Sequence, residues 1–163
     1  MKTLLILRHA KSSWKERGLP DHKRPLNKRG KKDAPRMGRL LKKRRLLPEY
    51  IVCSDAKRAM STAKKVIKES GFKGRCLFTK TLYETEGDSY ISALKKIKKD
   101  HRSVMVIGHN PALEELFESL SGKYEKLPTA ALAVLELKIK KWPDLKPGVG
   151  CKVKKIWRPK ELP

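Results

Sequence analysis

Two arginines and two histidines stand where strands of a sheet should end. Arg8 and His9 follow the apolar run Leu4-Leu5-Ile6-Leu7. Ser54 and Asp55 follow Tyr50–Cys53, with Arg58 one helical turn on, and Gly108, His109 and Asn110 follow "SVMVI", Ser103–Ile107. A guanidinium fork matches phosphoryl oxygens and stays charged at any working pH. A neutral imidazole can attack phosphorus, and a second, protonated one can stabilise the equatorial oxygens. Helices opening after Asp55 and Asn110 would add backbone donors. The set Arg8, His9, Arg58 and His109 therefore points to phosphate chemistry. Asp55 is the only acid in these three turns, so no carboxylate cluster suits a metal, and His9 with His109 lacks a third zinc ligand. Taken singly, each residue also reads as a hydrogen-bonded loop histidine or a surface helix arginine. Two of each at equivalent strand ends make the functional pattern.

The elements that must position these side chains alternate. Strands are expected at Lys2–Leu7, Tyr50–Cys53, Arg75–Thr79, Ser103–Ile107, Ala131–Ile139 and Val153–Trp157. Helical spacing covers Gly30–Leu46 behind the N-cap Asn27, Ala56–Ser70 up to Gly71, Ser89–Lys99, and a helix with Pro111 in its first turn running to about Ser121. Such alternation over 163 residues predicts one domain, 1–163, of the α/β class. A mostly parallel sheet would be covered on both faces, a three-layer α/β/α sandwich. In such sheets ligands bind beyond the carboxyl ends of the strands, near a topological switch point.

Composition sets the remaining bounds. Lysine and arginine number 41 against 17 acids, a net charge of +24, and such a field speeds encounter with anions. His22–Arg45 carries twelve Lys and Arg against one acid, Asp33. A basic run is usually a solvated helix face, so nonspecific polyanion binding is expected and a specific nucleic-acid role is not. Cys53, Cys76 and Cys151 are far apart and read as free thiols. No apolar run reaches the roughly 18 residues of a membrane span, and the short apolar start, followed by Arg8 and Lys11, is no signal peptide. A cytoplasmic location is the expectation.

The segments "LRHAKSSW", "DHKRPLNKRG", "SDAKRAMSTA", "VIGHNPALEEL" and "LPTAALAVLEL" resemble the histidine phosphatase superfamily, the phosphoglycerate-mutase-like fold. Within it they are similar to the small SixA-type phosphohistidine phosphatase group. The ordered set R-H, R-P-L-x-x-x-G, S-x-x-x-R-A-x-x-T and G-H-N-P carries the resemblance from Lys2 to about Pro159. It implies a metal-independent phosphatase, without cofactor, that works through a phosphohistidine intermediate. His9 would accept the phosphoryl group, Arg8 and Arg58 would bind it, and His109 would contact its oxygens. Ser12, Lys15, Arg24 and Asn27 would line the pocket edge, with Lys15 in place of an asparagine common in relatives. Glu84, in Leu82-Tyr83-Glu84, matches the segment where many relatives keep a proton donor. No large insertion lies between Ser61 and Leu82, so the site should be open and shallow and a mutase reaction is disfavoured. The resemblance implies phosphohistidine on a protein as substrate. A small phosphomonoester, or a polyanion- or RNA-binding protein on the same fold, are the alternatives.

Overall fold

The alternating faces of the strands explain the layers. A computed structural model describes residues 1–83, 85–98 and 100–162. In the strand β1 (Lys2–Arg8), Leu4 and Ile6 point into one apolar cluster while Leu5 and Leu7 point into another, as a period of two demands. The same split holds in β2 (Tyr50–Ser54), where Val52 faces one way and Ile51 and Cys53 the other. It holds again in β4 (Ser103–Gly108), with Val104 and Val106 against Met105 and Ile107. Helices α1 (Lys28–Lys43) and α2 (Lys57–Ser70) pack together over one face. Helices α3 (Gly87–Lys95) and α4 (Ala112–Ser121) pack together over the other. The α/β/α sandwich thus buries strands that are apolar on both sides.

The sheet has six strands in the order β3-β2-β4-β1-β5-β6, where β3 is Arg75–Thr79, β5 Leu132–Leu137 and β6 Cys151–Trp157. Its first four members run parallel; β5 is antiparallel to β1, and β6 antiparallel to β5. Among the described residues between α2 and α3, the elements are β3 and one short 3-10 turn, Lys80–Leu82, with no inserted cap.

Element boundaries differ from the sequence reading by a few residues, for local reasons. Helix α1 starts at Lys28, not Gly30, because the Asn27 side chain accepts the Gly30 N–H at 2.9 Å. It ends at Lys43, and Arg45 takes a left-handed φ of 55°. Helix α3 starts at Gly87, two residues earlier than expected, where Glu115 of α4 accepts the Gly87 N–H at 3.0 Å. That cap comes from another element, so no local signal announces it. The same helix stops at Lys95, and Lys99, its expected end, lies outside the described residues.

Candidate active site

Strand register brings the two histidines together. β1 pairs with β4 so that Arg8 lies opposite Gly108. The next residue of each strand is a histidine, and the His9 N–H donates to the Gly108 carbonyl at 3.0 Å. The two imidazole centroids are 5.0 Å apart with planes tilted by 52°. β2 lies on the other side of β4, with Cys53 opposite Ile107, so Ser54 arrives beside His109. Its Oγ is 2.8 Å from His109 Nε2. Helix α2 then begins, and its second residue is Arg58. From the adjacent strands β1 and β4 the chain leaves in opposite directions, β1 to β2 across β4 and β4 to β5 across β1, which makes their carboxyl ends the switch point of the sheet.

The motif spacings have visible causes. A Cβ on Gly30 would meet the Lys11 carbonyl oxygen at 2.1 Å, so the R-P-L-x-x-x-G glycine lets α1 press on the loop after His9. The threonine of S-x-x-x-R-A-x-x-T is Thr62. Its hydroxyl accepts the Ala10 N–H at 3.0 Å and donates to the Arg58 carbonyl at 2.7 Å, tying the histidine loop to the arginine helix. A Cβ on Gly108 would meet the Tyr90 hydroxyl at 1.8 Å. That hydroxyl accepts the His109 N–H at 3.2 Å and donates to the Leu82 carbonyl at 2.9 Å. Asn110 donates to Glu114 and to the Leu127 carbonyl, the same carbonyl that receives Arg8 Nη1 at 3.0 Å. The "LPTAAL" loop closes this corner. Ala130, at a φ of 62°, donates its N–H to the Arg8 and His9 carbonyls.

The imidazole hydrogen bonds define where lone pairs lie. His9 Nδ1 is 2.7 Å from the Ala10 carbonyl, which can only accept, so Nδ1 carries the proton and Nε2 keeps its lone pair. Burial pushes the His9 imidazole down to about 3; the Ala10 carbonyl opposes this, and His109, Arg58 and Arg8 add to it. His109 is pushed down to about 4 by burial and by Arg58, against the pull of Asp21. Both rings are therefore neutral at pH 7. For His109 this differs from the protonated imidazole of the sequence reading: burial outweighs the single nearby carboxylate. With Ser54 Oγ at its Nε2, His109 can still offer Nδ1–H to an oxygen.

Among the described residues, Arg8 Nε, Arg58 Nε and His109 Nδ1 are buried with no hydrogen-bond partner in the protein. Arg8, Arg58 and His109 all act electrostatically on His9. Unpaired buried donors each cost on the order of 1–3 kcal/mol. The three unpaired donors belong to residues grouped around His9, a set able to receive a tetrahedral anion.

The proposed pocket-edge residues separate. Ser12 is buried, and its Oγ accepts Arg24 Nη1 at 2.6 Å. Arg24 is 7% exposed, lies 3.5 Å under the Trp14 ring and donates Nε to Asp21 at 3.0 Å. Lys15 is exposed, with its N–H on Ser13 Oγ. Asn27 caps α1 with its side chain. Glu84 lies outside the described residues.

Sequence reasoning overlooked Asp21. Its carboxylate accepts Arg24 Nε, Arg58 Nη2 at 3.0 Å and the Tyr83 hydroxyl at 2.7 Å, while its carbonyl takes Arg58 Nη1 at 2.8 Å. Partial burial works to raise the Asp21 carboxyl, but the bonds from Tyr83, Arg24 and Arg58 prevail and hold it well below the usual carboxylate range. Ser54, Thr62 and Tyr90 were also overlooked as supports; the first two sat in plain view inside the S-x-x-x-R-A-x-x-T motif. Among the described residues no group of three or more His, Cys, Asp or Glu side chains could hold a metal ion, and no helix is long and apolar enough to cross a membrane. A groove of about 560 Å³ runs along β2, β3 and the end of α3, floored by Tyr50, Val52, Leu77 and Ile97. It includes none of Arg8, His9, Arg58 or His109; its polar lining is Glu49, Arg75, Lys96, Lys98 and His101 together with Thr79 and Thr81.

Comparison with known proteins agrees with this geometry. The chain is 34% identical over 152 residues to an uncharacterized chloroplastic protein of Arabidopsis thaliana, covering 88% of this chain and 70% of that one. It is 30% identical over 158 residues to an uncharacterized protein of Mycobacterium tuberculosis, covering 90% and 96%. Its fold superposes on a candidate phosphohistidine phosphatase, SixA, of Agrobacterium tumefaciens with a TM-score of 0.83 and 25% identity, over 96% and 97% of the two chains. It also superposes on the protein histidine phosphatase SixA solved with tungstate, with a TM-score of 0.81 and 20% identity over the same shares. Residues 4–101 match the histidine phosphatase superfamily (branch 1); with the paired histidines and arginines at the strand ends, this chain belongs to that superfamily and is SixA-like.

Proposed function

We propose that the protein is a phosphatase that removes phosphoryl groups from phosphohistidine on proteins, by way of a phosphohistidine intermediate on His9. The observation that carries this reading is the trio of unpartnered buried donors, Arg8 Nε, Arg58 Nε and His109 Nδ1, beside the free Nε2 of a neutral His9. In the first half-reaction Nε2 attacks phosphorus in line while the two guanidinium groups and His109 N–H stabilise the transferring oxygens. Positioning and electrostatics dominate such transfers. Water then attacks the phosphoryl group and His9 leaves. Among the described residues no cap is inserted between α2 and α3, and an uncapped site can meet a phosphorylated side chain still attached to its protein.

The deciding experiment measures hydrolysis across a phosphohistidine protein, phosphoserine, phosphotyrosine and sugar phosphates, with His9→Ala as the blank. Preference for the phosphohistidine protein by kcat/KM supports the reading. Preference for a sugar phosphate would replace it with a small-monoester phosphatase, and binding without turnover would leave only a polyanion-binding protein.

A further inference from the structure

The phosphatase reading still needs a proton donor, and the turn that carries Asp21 also carries a third histidine. Pro20 leads into a single 3-10 turn, Asp21–Lys23. Asp21 reaches down onto Arg58, and the next side chain, His22, lies against the other rim of the same corner. His22 Nε2 is 2.7 Å from the carboxylate of Asp55. Asp55 is the residue directly after Ser54, the partner of His109. The His22 ring meets Tyr83 edge-on with centroids 4.6 Å apart, and Tyr83 meets His109 edge-on at 5.6 Å. The charge of His22 acts on His109. Both His22 and Asp55 are about one-third exposed, at 38% and 32%, so the imidazole stands at the mouth and not in the buried phosphate cradle.

An imidazole held through one nitrogen by a carboxylate is fixed in tautomer and orientation. The opposite nitrogen is then the one that gives or takes a proton. Asp21 cannot fill that role, because its carboxyl is held ionised by three donors. We infer that His22, oriented by Asp55, is the general acid of this site, protonating the leaving group from its Nδ1. The inference rests on the phosphatase reading.

The step balances. His9 Nε2 forms a bond to phosphorus, the bond from phosphorus to the leaving atom breaks, and its electron pair takes the proton from His22 Nδ1. In the second half, water oxygen bonds phosphorus, the Nε2–phosphorus bond breaks with its pair returning to His9, and a water proton goes to His22 Nδ1. The products are phosphate and the protonated leaving group, with the His22 imidazolium restored.

A general acid matters in proportion to the basicity of what leaves. The test compares kcat/KM for 4-nitrophenyl phosphate with that for phenyl phosphate in the wild type, His22→Gln, Asp55→Asn and Glu84→Gln. The ratio of the two should rise by about a hundredfold in His22→Gln, and less in Asp55→Asn, which keeps the imidazole but loosens its orientation. Added imidazole should restore part of the phenyl phosphate turnover in His22→Ala, a rescue that a purely structural side chain would not allow. An unchanged ratio in His22→Gln overturns the inference, whether all rates fall together or none does. So does a ratio that rises in Glu84→Gln alone. If the wild type shows no His9-dependent turnover of either ester, the phosphatase reading itself fails, and the donor with it.

Discussion

Asp21 grips Arg58 twice: its carbonyl takes Nη1 at 2.8 Å and its carboxylate takes Nη2 at 3.0 Å. Each terminal nitrogen spends one of its N–H groups on Asp21, while Nε is one of the buried nitrogens with no partner. An acid thus orients the arginine proposed to bind phosphate.

This relationship predicts the effect of removing the acid. Asp21→Ala should lower kcat/KM for an aryl phosphate by roughly ten- to a hundredfold, since hydrogen bonds to charged groups are worth about 1.5–3 kcal/mol. Asp21→Asn, which still accepts one bond, should lose less. Steady-state kinetics of both variants decide the matter. A faster Asp21→Ala enzyme would mean that the carboxylate competes with phosphate instead of aiming Arg58.

The nucleophile is tested by trapping. Wild-type protein mixed with labelled phosphohistidine protein should give an acid-labile, alkali-stable phosphoenzyme, and His9→Ala should give none. Arg58→Lys keeps the charge but loses the planar fork, and turnover should drop on the order of 10²–10³-fold. A phosphoenzyme that survives in His9→Ala would move the covalent step to another residue.

Burial of the histidines has a signature in pH. Their folded values, about 3 for His9 and about 4 for His109, lie below the ordinary 6.5. Between those values the unfolded chain binds protons that the folded chain refuses, so stability is full above about pH 6.5 and falls as pH drops toward the folded values. Asp21 acts in the same direction at lower pH, losing its stabilisation as pH falls through its unfolded value of 3.8. Urea unfolding at pH 7 and pH 4.5 should show the loss, and a His9→Gln, His109→Gln double variant should show a shallower one. In imidazole NMR spectra of the folded protein, the resonances assigned to these two rings should stay fixed from pH 8 to 5.5. A midpoint near 6.5 for either ring would contradict the burial argument.

Gly108 is predicted to admit no side chain. A methyl group there would collide with the Tyr90 hydroxyl, and overpacking of this kind typically costs about 1–3 kcal/mol. Gly108→Ala should lower the melting temperature and cut turnover, because the displaced hydroxyl is the acceptor of the His109 N–H. Adding Tyr90→Phe should recover part of the melting temperature but not the turnover. A Gly108→Ala protein as stable as wild type would show that β4 has slack which the close contact denies.

Much of this protein could be read along the chain because its signals are local. Apolar runs at Leu4–Leu7 and Ser103–Ile107 declare buried strands. Asn27 marks a helix start by the side-chain cap it offers, and Gly71 a helix end by its left-handed backbone, and both do so in the structure. The gathering of Arg8, His9, Arg58 and His109 at the carboxyl ends of the strands followed from the α/β rule, and strand register delivered His9 and His109 to adjacent positions.

What the chain order could not contain is pairing across distance. Asp21 looks like a loop acid in a lysine-rich stretch until folding carries it onto Arg58, 37 residues away. His22 and Asp55 are 33 residues apart and meet only because β2 ends beneath the turn that holds His22. Asn27, read as a pocket-edge residue as well as a cap, has its side chain committed to the Gly30 N–H. The protonation of His109 was likewise a tertiary matter. The pairing of two histidines at strand ends suggested one charged ring among anion-binding groups, but burial, set by everything packed around the ring, pushes His109 down toward its neutral form. Periodicity and capping are written in neighbours along the chain, whereas hydrogen-bond partners and desolvation exist only once the sheet has brought distant turns to one edge.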